Sequence, residues 1–96
     1  MFSWDTAKAI LNLRKHGVSF EEAATVFADP DALDWQDAEH SGVEARSKRL
    51  GKSVAGRVLL TVYTTRRLKD GKETIRVISA RQASRKERQA YSGPSN

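Results

Sequence analysis

The sequence predicts an α+β domain: two N-terminal helices, a four-stranded antiparallel meander sheet and a C-terminal helix. Three observations predict it. The first 30 residues carry two capped segments with apolar residues at helical spacing. Beyond Pro30 the period shortens to two. Glycine-bearing turn signals then separate the later runs, leaving connections too short for anything but adjacent antiparallel strands. At 96 residues the chain is one domain, expected over residues 1–91, with residues 92–96 as a flexible tail of Ser, Gly, Pro, Ser and Asn.

Asp5 is the expected N-cap of a helix over Thr6 to His16, because its carboxylate can accept from the unpaired N–H groups of a first turn. Ala7, Ile10, Leu11 and Leu13 give this helix an apolar side. Lys15 and His16 complement the dipole at its end, and Gly17 is the left-handed stop. Ser19-Phe20-Glu21-Glu22 reads as a capping box, with Val18 placed as a hydrophobic staple. Phe20, Ala23, Ala24 and Phe27 fall on one stripe of the second helix, and Asp29-Pro30 ends it.

Leu33 and Trp35 alternate with Asp34 and Gln36, the pattern of an edge strand that could accept an added strand from a partner. Residues 44–52 form a second, polar strand. Arg57–Arg66 is apolar on both faces, as a central strand is, and Thr74–Arg81 is the last. A three-residue loop at Val54-Ala55-Gly56 places Arg46 opposite Thr64 and Glu44 opposite Arg66. A two-residue loop at Asp70-Gly71 places Arg66 opposite Ile75 and Leu60 opposite Arg81. One sheet face then carries Glu44, Arg46, Lys48, Thr64, Arg66, Ser79 and Arg81, and a one-residue slip would exchange half of that set. A second capping box, Ser84 with Glu87, opens a helix from Arg85 to Tyr91 that brings Ser84, Arg88 and Tyr91 to one side.

The net charge of +5 conceals a division. Residues 1–45 hold three Lys/Arg and nine Asp/Glu; residues 46–96 hold fourteen and three. A basic second half points to a polyanion, most simply nucleic acid, against the plainer reading of solvated strand and helix faces. The absence of cysteine rules out disulfides and thiolate chemistry and fits a reducing cytoplasm. No signal-peptide pattern, membrane-length apolar run or glycine-rich phosphate loop is present. Two histidines 24 positions apart and no acidic constellation give no metal-ligand set, so neither metal nor cofactor is expected.

Three stretches, FSWDTAKAILNLRKHGVSFEEAATVFADP, HSGVEARSKRLGKSVAGRVLLTVYT and IRVISARQASRKERQAY, together resemble the BrnT family, toxins of bacterial type II toxin–antitoxin pairs. The resemblance spans residues 2–91 and rests on Lys15 to Phe20 combined with Ile78 to Arg81, Lys86 to Arg88 and Tyr91. The hairpin from Arg66 to Lys72 departs from the family in being longer and more basic. The resemblance implies a RelE-like fold and a cytoplasmic ribonuclease that arrests bacterial growth by cutting RNA. It also implies a BrnA-type antitoxin, in a 2:2 complex that touches promoter DNA through the antitoxin.

Metal-free RNA cleavage uses the substrate's 2′-hydroxyl as nucleophile, so the protein must take a proton, hold the charge on the phosphoryl group and return a proton to the leaving oxygen. Guanidinium groups suit the second task. Arg46 and Arg81 are the expected catalytic cations, with Lys48, Arg66 and Arg88 gripping the RNA backbone. Glu44 is the candidate base, Tyr91 a proton donor or stacking ring, and His40 a further acid or base. His16 and Lys15 fit a helix end, and Trp4 and Trp35 fit packing or partner contact. Two other classes, a non-catalytic nucleic-acid-binding module and a protein-interaction domain, stay open on the residues alone.

Overall fold

A computed structural model describes residues 1–40, 42 and 44–93, with the side chain of His40 outside the described ones. In chain order the elements are β1 (Phe2–Ser3), α1 (Thr6–His16), α2 (Phe20–Ala24), a 3-10 turn (Thr25–Ala28) and β2 (Leu33–Gln36). A second 3-10 turn (Ala38–His40) leads to β3 (Ser47–Lys52), β4 (Val58–Arg67), β5 (Glu73–Gln82) and α3 (Arg85–Ser92). The fold is α+β, but the sheet has five strands in the order β1-β5-β4-β3-β2 and is mixed. Strands β2 to β5 form the expected antiparallel meander. The unexpected strand is β1, two residues that pair parallel to β5 through Ile75 N–H and the carbonyl of Met1 at 2.9 Å. Two residues carry no readable period, which is why the sequence hid it. Ser92, expected in the tail, closes α3; residues 94–96 lie outside the described chain.

The caps form where the side chains demand them. Asp5 accepts from Lys8 N–H, Ser19 from Glu22 N–H, and Ser84 and Glu87 complete a reciprocal capping box. The second helix is shorter than its apolar stripe suggests. Thr25 Oγ1 donates to the carbonyl of Glu22 at 2.6 Å, and the chain tightens into 3-10 geometry from Thr25. Its stripe still packs: Val18, Phe20, Ala23 and Val26 meet Leu59, Val77 and Ala80 in the main core. A smaller cluster on the other sheet face joins Leu50, Leu60 and Ala83 with Tyr91 of α3.

Helix α1 does not bury the expected side. Ile10, Leu11 and Leu13 are 49, 61 and 51% exposed, and its one buried residue is Asn12. The helix runs along β5 beyond the point where β1 stops. There the Asn12 amide donates to the carbonyls of Ala80 (2.8 Å) and Val18 (3.0 Å) and accepts from Ala80 N–H (3.1 Å). The outer edge of β5 is therefore covered first by a strand and then by a side-chain amide, which removes a pairing hazard.

The β3–β4 turn is as read. Ser53 and Arg57 close a three-residue loop in which Gly56 sits at φ 83°, and the register runs from Lys52 opposite Val58 to Ser47 opposite Tyr63. The β4–β5 turn is not. Leu68 N–H bonds the carbonyl of Lys72 at 2.7 Å and Gly71 holds φ 84°, so the loop has three residues, Lys69-Asp70-Gly71. Arg66 therefore faces Thr74, not Ile75. A β-bulge at the Val62/Tyr63 step, with Ile78 the extra residue, restores the register, and Leu60 again faces Arg81. Between bulge and loop every β5 side chain is on the opposite face from the flat ladder, and Arg76 changes sides with them.

Candidate active site

At the loop end of the sheet, on the face away from the main core, a polar pocket of about 270 Å³ opens. Lys8 of α1, Thr64 and Arg66 of β4, and Arg76 of β5 line it. Gly42, Glu44 and Arg46, from the segment preceding β3, close its far wall, and Ile78 forms part of the floor. Four cations and one carboxylate thus converge from four separate stretches of chain. Glu44 and Arg66 pair at 2.8 Å, both about half exposed, so the carboxylate is oriented without being sealed off. Arg76 reaches Ser3 Oγ at 3.5 Å, a long contact that places β1 behind it. The buried Thr64 hydroxyl has no hydrogen-bond partner among the described residues. The volume falls below the ~300 Å³ of an enclosed small-molecule site, which suits a chain crossing the surface better than a ligand swallowed whole.

Of the residues expected to act, the pocket gathers Glu44, Arg46 and Arg66. Lys48 lies one step along the face and approaches Asp37 at 3.8 Å. Arg81 is elsewhere. It stands opposite Leu60, four residues from Thr64 along β4, about 13 Å away at the usual rise per residue. There it binds Glu87 in two-pronged fashion, at 2.7 and 2.9 Å. The Arg81 guanidinium holds the Glu87 carboxyl down to about 2, with the Ser84 N–H assisting. Arg88 donates to the carbonyl of Ala83 at 2.8 Å, inside its own helix start. Tyr91 donates to Asp29 Oδ2 at 2.6 Å, and that carboxylate, with partial burial, pushes the phenol up to about 12. A phenol so held is a poor proton donor. Arg81, Arg88 and Tyr91 therefore fasten α3 to the sheet and to the chain after α2. The imidazole of His40 lies outside the described side chains.

Other cations of the basic half are also spent on structure. Arg49 donates to the carbonyls of Val26 and Asp29, both at 3.0 Å, pairs with Asp34 at 2.6 Å and lies 5.0 Å over the Phe27 ring. Arg57 grips Glu22, which also accepts from Ser53 Oγ at 2.7 Å.

Sequence reasoning missed Lys8 and Arg76. Lys8 lies on a helix otherwise read for its apolar side. Arg76 was assigned to the wrong face by the loop length. The signal that finds Arg76 is the apolar pair Val77-Ile78, which breaks the alternation of β5 where the bulge sits. A larger depression of about 470 Å³, lined by Thr25, Ala28, Asp29, Lys52, Ser53 and Val54, lacks this chemistry. Its one carboxylate, Asp29, already accepts from Lys52 N–H and Tyr91. Among the described residues no three His, Cys, Asp or Glu side chains group as metal ligands, and no helix is long and apolar enough to cross a membrane.

Known proteins bear on this arrangement in two ways. The crystal structure of the Brucella abortus ribonuclease toxin, BrnT, superposes with a TM-score of 0.63 at 23% identity, covering 88% of this chain and 99% of that one. At that identity the match speaks for the fold. Among curated proteins none matches in sequence. The family model for the ribonuclease toxin BrnT of type II toxin–antitoxin systems matches residues 4–87, which bears out the resemblance read from residues 2–91. With that match over most of its length, the chain belongs to the BrnT family of ribonuclease toxins of type II toxin–antitoxin systems.

Proposed function

We propose that this toxin is a metal-independent endoribonuclease whose reaction takes place in the pocket around Glu44, Arg46, Arg66, Arg76 and Lys8. The supporting observation is the convergence of four cations and one carboxylate on a single open depression. The Glu44 carboxylate takes the proton of the ribose 2′-hydroxyl. The new O2′–P bond forms as the P–O5′ bond breaks, leaving a 2′,3′-cyclic phosphate. Arg46, Arg66 and Arg76 hold the charge that builds on the phosphoryl oxygens. Lys8 is the pocket cation with a proton to give, since a guanidinium does not release one, and its ammonium protonates the departing 5′-oxygen and recovers the proton from water.

RNA cutting in the bacterial cytoplasm arrests growth until a BrnA-type antitoxin binds, in a 2:2 complex that reaches promoter DNA through the antitoxin. The exposed edge of β2, with Leu33 and Trp35 each 42% exposed, supports strand addition by that partner. The test is purified protein with bulk RNA in excess chelator. Wild type cuts, and Glu44→Gln and Arg76→Ala each slow cutting by roughly 10²-fold or more. RNA retained but uncut by wild type would point to a binding module and overturn the proposal.

A further inference from the structure

Beside the pocket, a second depression of about 230 Å³ runs between α1 and β5. It shares Lys8 and Ile78 with the first, so the two adjoin. Lys8, Leu11 and Lys15 line it from one face of α1, joined by His16, with Ser79 on the strand side.

We infer that this arm is a nucleotide subsite, holding the RNA residue next to the bond that is cut; the inference rests on the active-site reading above. Leu11 is 61% exposed and puts an apolar side chain on the wall of this arm. It lies between two lysines and beside half-buried Ile78, so the arm has an apolar floor flanked by cations. That is the pattern a nucleotide needs: an apolar surface under base or ribose and positive charge at the phosphates. Lys8 and Lys15 are seven residues apart, about 10.5 Å along a helix, so they meet different phosphates. The dipole of α1 does not require Lys15, because Arg14 stands in the same last turn. No carboxylate lines this arm, and Asn12, which does, has its amide committed to Ala80 and Val18. Ser79 and His16 remain on the walls to hydrogen-bond a base edge or a 2′-hydroxyl.

The experiment is fluorescence anisotropy with a 2′-O-methyl RNA 12-mer, which has no nucleophile and is not cut, titrated across salt concentrations. Wild type, Lys15→Ala, Leu11→Ser and Arg14→Ala are compared, each first checked for an unchanged melting temperature. Lys15→Ala is expected to weaken binding about two- to fivefold, the range of a single exposed charge contact. It also lowers the slope of log affinity against log salt by about 0.7, one phosphate contact on a single strand. Leu11→Ser weakens binding with the slope unchanged, and Arg14→Ala does neither. The subsite is overturned if Lys15→Ala and Leu11→Ser bind as wild type does, if Arg14→Ala matches Lys15→Ala, or if wild type does not bind the 12-mer. Because nothing is cleaved in this assay, these outcomes are independent of whether Glu44 and Arg76 carry the chemistry.

Discussion

Asn12 pairs with Ala80 as a neighbouring strand would, one hydrogen bond in each direction at 2.8 and 3.1 Å, across 68 residues of sequence. The same amide holds the carbonyl of Val18 at the start of α2. One side chain thus ties α1, α2 and β5 together beneath the depression between α1 and β5. Replacing it leaves buried backbone groups unpaired, so Asn12→Ala is expected to destabilise the protein by about 2–3 kcal/mol, measured by urea unfolding. Asn12→Asp is no rescue, because it keeps the acceptor for Ala80 N–H but presents a carboxylate to two carbonyls. A variant within a few tenths of a kcal/mol of wild type would remove Asn12 from this role.

Arg76 and Arg81 lie on one strand but on different sides of the bulge, and their variants should separate. Arg76→Ala, at the pocket, is expected to cut RNA cleavage by 10²-fold or more with little change in melting temperature. Arg81→Ala, which strands Glu87 at the base of α3, is expected to lower the melting temperature by several degrees while the remaining folded protein keeps most of its cleavage. Parallel measurement of cleavage rate and thermal melting decides it. The reverse pattern would move the active site to the α3 end of the sheet.

Acid should loosen α3. The Glu87 carboxyl sits at about 2 in the fold against an ordinary 4.5, chiefly because Arg81 donates to it. A carboxyl lowered by folding adds stability that is complete above its unfolded value and is lost as the pH falls through the folded one. The expected window is therefore from about 4.5 down to about 2. Glu22, held low by Arg57, and Asp29, held low by the Lys52 N–H and Tyr91, shift the same way. Melting curves of wild type should fall across this window more steeply than those of Glu87→Gln. Superimposable pH profiles would show that the pair with Arg81 adds nothing.

Tyr91→Phe removes the hydrogen bond to Asp29 but keeps the ring against Leu50, Leu60 and Ala83. A melting temperature a few degrees lower, with undiminished cleavage per folded molecule, is the expected result. A large loss of cleavage without loss of stability would restore the phenol to the chemistry.

What the sequence disclosed was local or fixed by one turn. Asp5, Ser19 and Ser84 announced three helix starts because each cap is satisfied within three residues. The loop ending at Gly56 was legible, and with it the register that runs Glu44 and Arg46 toward Arg66 and Thr64. The site failed to emerge whole because Arg76 depends on two offsetting irregularities, an extra loop residue and an extra strand residue, and either alone reverses its face. Arg81 and Tyr91 stand apart from the pocket, which their residue types could not reveal. A basic or phenolic residue looks the same in sequence whether it awaits a phosphate or already holds Glu87 or Asp29.

The placement of β5 bears on how the pocket is assembled. It is the last strand in the chain and is flanked by β4 and by β1, the first. Residues 1–72 already hold Lys8, Glu44, Arg46 and Arg66, yet they lack the strand on which the N-terminal helix packs. Lys8 therefore joins Glu44, Arg46 and Arg66 only once residues 73–82 are in place, so the pocket is completed by the strand that comes latest in the sequence.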